Sequence, residues 1–225
     1  MGFSVARLTT AGLSPAEITA AILDARRTGH RLLYVEVTPA DRTGAAVVRA
    51  AGAWLADRKV TFIMELPMSD PLASAAGIQT TTEFTLQLET LAWQSGEYSR
   101  FRRDPRFGPD VFQQMYSQWL RNSLSHQIAR QVLVFRDAAG TERGLLTLGE
   151  KNEHADIGLL AVDAAVRGQR VGQRLVAAAA QQARAWGYHA LQVVTQLNNE
   201  TACRFYEKCG FALLHEQHIY HLWLN

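Results

Sequence analysis

The sequence predicts an α/β protein, and three observations carry the prediction. Strand-like and helix-like stretches alternate along nearly the whole chain. Capping residues, proline and glycine mark where the helices start and stop. The composition, 48% apolar and 20% charged over 225 residues, is that of a chain able to bury a core. It argues against intrinsic disorder, and the length allows one large or two small domains.

The elements follow in order. Phe3 to Leu8 reads as a strand. Ser14-Pro15-Ala16-Glu17 is a capping box with proline at the first helical position, and its helix runs to Gly29. Leu32 to Val37 is a second strand, Gly44 to Gly52 a short Ala-rich helix and Lys59 to Leu66 a third strand. Residues 1–66 thus form a small βαβαβ domain. Pro67, Ser69, Asp70, Pro71 and the small residues to Gly77 make a linker at 67–77, and the second domain is expected at 78–225.

Helices are expected there at Glu83 to Gln94 and Asp110 to Leu124, with strands at Gln131 to Arg136, Gly144 to Leu148 and Ile157 to Val162. A helix from Val171 to Trp186, a strand from Ala190 to Gln196, a helix from Glu200 to Cys209 and a strand from Phe211 to Leu224 complete the chain. Gly187 and Gly210 stand where helices end, and Asp137-Ala138-Ala139-Gly140 suits the turn between two antiparallel strands.

Charge and targeting signals narrow the function. With 23 basic and 21 acidic side chains the formal charge is +2, too small a surplus for a nucleic-acid-tracking surface. No apolar run reaches the roughly 18 residues of a membrane span, so no membrane partner is expected. Met1 to Leu8 lacks a secretory pattern, which predicts a cytoplasmic protein. Cys203 and Cys209 lie six apart in one predicted helix, about 240° around its axis, and are read as reduced thiols. His154, His215, His218 and His221 lack cysteine partners at zinc spacing, so no metal site is expected.

The strand Ile157 to Val162 passes through Arg167-Gly168-Gln169-Arg170-Val171-Gly172 into the Ala-rich helix. Such a turn aims free backbone N–H groups and the positive end of a helix dipole at one spot, which suits a pyrophosphate. Read alone, these six residues fit a plain turn with solvated arginines better than a phosphate site. Asn199 and Tyr206, seven apart on the next helix, are expected to share an outward face, with Phe205 and Cys209 turned to the core. A tyrosine so placed also fits amphipathic packing.

Together these residues resemble the GNAT N-acetyltransferases. Arg167 to Gly172 is similar to their Arg/Gln-x-x-Gly-x-Gly/Ala loop, and Asn199-x-x-Ala202-x-x-Phe205-Tyr206-Glu207-Lys208-Cys209-Gly210-Phe211 to their last helix and strand entry. The resemblance covers residues 78–225 and implies the acyl-CoA N-acyltransferase fold, a mixed, splayed sheet flanked by helices, with acetyl-CoA as co-substrate. It implies a pyrophosphate on the amides of Arg167, Gly168, Gln169, Arg170, Val171, Gly172 and Gln173, and a pantetheine arm along Leu160, Ala161 and Val162. It implies further that Asn199 contacts CoA and that Tyr206 is the general acid for the departing thiolate. A phenol of pKa about 10 remains protonated at neutral pH, and a thiol of pKa about 8.5 is a fair leaving group. Arg170 stands where the loop usually has its first glycine. If that position requires φ > 0, Arg170 carries strain; if not, its guanidinium is placed to contact phosphate.

A narrower likeness spans nearly the whole chain. Tyr98-Ser99-Arg100-Phe101-Arg102-Arg103-Asp104-Pro105-Arg106-Phe107, with Met115-Tyr116-x-x-Trp119-x-x-Asn122-Ser123, resembles the dTDP-fucosamine acetyltransferases within that superfamily. The likeness implies acetylation of the amine of a dTDP-linked 4-amino-4,6-dideoxyhexose for surface polysaccharide, with Arg100 and Arg102 on the nucleotide diphosphate. On charge alone the arginines fit a solvated basic loop as well. For the base, the likeness points to Asp57, ahead of the third strand, with Glu65, His154 and Asp156 as rivals. Acetylation of a protein N-terminus or small amine, and a CoA-binding sensor without turnover, remain alternative functions. Homodimerisation is left open.

Overall fold

The computed structural model describes residues 2–67 and 75–224. Ser69, Asp70 and Pro71 of the expected linker lie outside the described residues. The strands are β1 (Val5–Thr9), β2 (Leu32–Val37), β3 (Trp54–Glu65), β4 (Ile78–Thr80), β5 (Gln131–Arg136), β6 (Glu142–Lys151), β7 (His154–Val162), β8 (Ala190–Gln196) and β9 (Ala212–Trp223). The α-helices are α1 (Pro15–Arg27), α2 (Arg42–Ala50), α3 (Leu86–Ser95), α4 (Arg100–Arg103), α5 (Pro109–Leu124), α6 (Val171–Ala185) and α7 (Glu200–Lys208).

Residues group into two compact units that do not follow chain order. The first holds 1–60, 196–198 and 214–225; the second holds 61–195 and 199–213. The division expected at 67–77 therefore differs from the observed grouping: β3 and β9 each contribute to both units.

In the first unit β1 pairs parallel with β2, as a βαβ connection requires. The other neighbour of β2 is β9, antiparallel, with Leu33 opposite Leu222 and Val35 opposite Tyr220. Ile18, Ile22 and Ala25 of α1 cover Leu33, Val35, Val37, Tyr220 and Leu222 in one core. Each Ile, Leu or Val side chain so removed from water contributes about 1.5–3 kcal/mol. The capping box forms as expected: the Ser14 hydroxyl accepts from the Glu17 amide, and the Glu17 carboxylate accepts from the Ser14 amide at 2.8 Å.

In the second unit the strand order is β8-β7-β6-β5-β4. The hairpin β5–β6 turns at Asp137 to Gly140, where Gly140 takes φ 80° and its amide donates to the Asp137 carbonyl at 2.9 Å. On one face, α3 and α5 bury Leu88, Leu91, Phe112, Tyr116 and Leu120 against Val132, Val134, Leu145, Leu159 and Ala161. Gly187 and Gly210 end their helices with φ of 88° and 93°. The third strand begins at Trp54, five residues before its expected start, so Asp57 lies within β3 and not ahead of it.

Candidate functional site

The site is built entirely within the second unit, around β7. Only Ala155, Asp156 and Ile157 of β7 pair with β8, opposite Leu191, Gln192 and Val193. Beyond Ile157 the two parallel strands part, while β7 stays bonded to β6 through Leu160, Ala161 and Val162. Leu160, Ala161 and Val162 thus present one backbone edge that no described strand completes. An extended amide-bearing chain could add to that edge as a strand.

The parting begins at an irregularity. Register shifts between Leu146 and Leu148, so that Thr147 faces both Gly158 and Leu159. The buried Thr147 hydroxyl accepts from the Leu159 amide at 2.8 Å. Gly158 is obligatory here: a methyl group on it would lie 2.8 Å from Thr147 Oγ1, and 3.4 Å from Trp119 Nε1. Sequence reading passed over this element, although a glycine inside an apolar strand run is the signal of such a bulge.

From Val162 the chain enters a single 3₁₀ turn, Ala164–Val166. Asp163 caps it, accepting from the Ala165 amide at 2.8 Å and from Arg143 at 3.1 Å. The Ala165 amide, followed by the Arg143 guanidinium, holds the Asp163 carboxyl below the usual carboxylate range. The loop then reaches Arg170, the N-cap of α6, at φ 59° and ψ 18°. That position does require the left-handed conformation, so the first of the two readings of Arg170 holds: its backbone is strained.

The Arg170 side chain makes no cap hydrogen bond. The amides of Val171, Gly172 and Gln173, in the first turn of α6, have no intrahelical acceptor and point out of the helix end. Gly168, at φ 80°, is exposed, as are Arg167, Gln169, Arg170 and Gln173. Arg167 folds back so that its Nε donates to the Val162 carbonyl at 3.4 Å. A methyl group on Gly172 would lie 3.0 Å from the Phe205 ring and 3.6 Å from Val162, so the start of α6, the end of β7 and α7 meet at one point.

On α7 the structure corrects the expected orientation. Tyr206 is buried, 5% exposed, among Phe62, Phe205 and Phe211, whose ring centroids lie 6.1, 5.3 and 5.6 Å away. Phe205 is the half-buried one, against Gly172. Tyr206 stands one turn from the buried Cys203, so the two share the side of α7 turned to the core, while Asn199 is the N-cap, at φ −87° and ψ 67°. Its Oδ1 accepts from the Ala202 amide at 3.2 Å. Burial, with lesser contributions from Cys209 and Cys203, pushes the Tyr206 phenol well above its ordinary value and keeps it protonated. Burial also lifts the Cys209 thiol to about 11.

Asp57 is buried in the first unit, in β3. Among its rivals, Glu65 is exposed and His154 and Asp156 are half-buried. Arg100 and Arg102 occupy the one-turn α4, a helix too short to show a period in sequence. The Arg100 guanidinium lies over the Phe101 ring at 4.6 Å, and that of Arg102 over Phe112 at 5.2 Å. Among the described residues, no group of three or more His, Cys, Asp or Glu could hold a metal ion, and no helix is long and apolar enough to cross a membrane.

Comparison with known proteins bears on this arrangement. The model of the acetyltransferase (GNAT) family matches residues 89–211, more than half of the chain. A dTDP-fucosamine acetyltransferase of Escherichia coli O6:H1 is 34% identical over 148 residues, 65% of this chain and 62% of that protein. The spore coat polysaccharide biosynthesis protein SpsD of Bacillus subtilis is 28% identical over 133 residues, 59% of this chain and 45% of that protein. The matches thus span less than two thirds of either relative. A solved GCN5-related N-acetyltransferase from Sphaerobacter thermophilus shares the fold, with a TM-score of 0.56 over 93% of this chain and 67% of its own, at 16% identity.

Proposed function

The chain belongs to the acetyltransferase (GNAT) family, and from that premise we propose that it transfers acetyl from acetyl-CoA to the amine of a dTDP-linked amino-dideoxyhexose, such as dTDP-4-amino-4,6-dideoxy-D-galactose, in surface polysaccharide synthesis. The observation that carries the acetyl-CoA part is the parting of β7 from β8 after Ile157, beside a helix start with no side-chain cap. The name of the first relative supports the acceptor class, and that of the second supports the polysaccharide setting. So do the two ring-supported guanidinium groups of Arg100 and Arg102, which suit a diphosphate.

The residues present fit acetyl-CoA. The open edge of Leu160, Ala161 and Val162 can pair with the amides of a pantetheine arm, and the first-turn amides of α6 with Gly168, Gln169 and Arg170 can bind its pyrophosphate. When bound, acetyl-CoA supplies the acetyl group and a thiol leaving group. The neutral amine bonds to the acetyl carbon as the carbon–sulfur bond breaks, with no covalent enzyme intermediate. A sugar amine with a pKa near 8 loses its proton to a held water or a carboxylate. Tyr206 gives its phenolic proton to the departing sulfur. Desolvation raises the basicity of that thiolate as well, which narrows the gap between donor and acceptor. Asn199 lines the CoA side.

The test is a panel of amines, comprising dTDP-amino sugars, peptides and polyamines, each with acetyl-CoA, followed by thiol release and mass spectrometry of the product. A mass gain of one acetyl on the dTDP-amino sugar is expected. A gain on peptides alone removes the nucleotide-sugar reading.

A further inference from the structure

We infer that the indole N–H of Trp119 is a hydrogen-bond donor to the acceptor, bonding a sugar oxygen next to the attacked amine, an inference that rests on the acceptor class proposed above. Gly158 is the first β7 residue beyond the last pair with β8, and Trp119 Nε1 faces it. The indole edge therefore lies at the point where the sheet opens. Trp119 is only partly buried, and no described residue accepts from its N–H. Trp93, in the same layer, shows the usual outcome, donating to the Gln113 carbonyl at 3.2 Å and to Ser117 Oγ at 3.0 Å.

The ring is held before any ligand arrives. It stacks on Tyr116 at 5.8 Å and 27°. Tyr116 in turn fills the space above Gly96, where a methyl group would lie 2.1 Å from its ring. An N–H fixed in this way loses little entropy when it binds.

The row continues. Phe112 lies 4.8 Å from Tyr116, and the Arg102 guanidinium covers Phe112. Phe112 and Tyr116 are both buried, so this row anchors the Trp119 ring from the core side. A sugar whose amine sits at the sheet opening would bring the neighbouring hexose oxygens to the indole N–H. Trp119 would meet the hexose.

Trp119→Phe keeps the ring and removes the donor. The KM for the dTDP-amino sugar should rise about tenfold, with the KM for acetyl-CoA and the melting temperature unchanged. Placing benzothienylalanine at 119, which replaces N–H by sulfur at nearly the same shape, should reproduce the rise. An unchanged acceptor KM in both variants overturns the inference, and so does an equal rise in both KM values. If the wild-type enzyme acetylates only another amine, the nucleotide-sugar reading fails; the same comparison with that amine then judges Trp119 separately, and an unchanged KM there overturns its role.

Discussion

Replacing Arg170 by glycine separates the two duties of that position. At φ 59° and ψ 18° an L-residue carries about 1–2 kcal/mol of backbone strain. Glycine removes it, while its greater freedom in the unfolded chain returns about 0.4–1 kcal/mol. The net gain is about 0.5–1 kcal/mol, since the arginine side chain forms no cap bond that would be lost. For a chain of this size that raises the melting temperature by roughly 2 °C. Differential scanning calorimetry reads the shift, with Arg170→Ala as the control that keeps the strained backbone and gains nothing. The same substitution removes an exposed cation beside the first-turn amides of α6. The KM for acetyl-CoA should therefore rise about three- to tenfold, and less so at high salt. A melting temperature that falls, or that rises equally in the alanine variant, refutes the strain argument.

Four further outcomes are expected, from three variants. Gly158→Ala drives a methyl group against Thr147 Oγ1 and breaks its bond to the Leu159 amide, costing about 1–3 kcal/mol, seen as a lowered urea midpoint. Gly96→Ala should lower that midpoint further, because the methyl group meets the Tyr116 ring itself, at 2.1 Å. Tyr206→Phe should cut turnover at least tenfold with acetyl-CoA affinity unchanged by calorimetry; unchanged turnover would leave Tyr206 a packing residue. The same variant carries a pH signature. The native phenol titrates above its ordinary 10.0 and the unfolded one near it, so stability is constant in this respect below about pH 10 and falls as pH rises past it. Urea midpoints from pH 8 to 11 should fall less steeply for Tyr206→Phe than for the wild-type protein.

Much of the fold was legible because local signals and tertiary needs agree. β2, β5 and β8 have their expected bounds since each is a short apolar run bracketed by polar or turn residues. The start of β3 was hidden by Asp57-Arg58-Lys59, a polar run that reads as a turn, although its aspartate is buried. β4 and α4, of three and four residues, are too short for any period to register. In the site, the loop into α6 was legible because its chemistry is local. The facing of Tyr206 was not, because Phe205 and Tyr206 are adjacent aromatic residues and either could serve the side of α7 turned to the core. The meeting of Trp119 with Gly158 has no trace in the sequence around either residue, since it joins a helix and a strand far apart in the chain.

The antiparallel pairing of β2 with β9 also has a consequence for how the protein is made. Leu32 to Val37 leave the ribosome well before the strand that completes their layer, from Leu214 onward. Until then β2 offers a bare hydrophobic edge, exposed to wrong partners during elongation. A nascent chain stalled before Leu214 should therefore depend on chaperones even though its second unit has every one of its strands from β4 to β8.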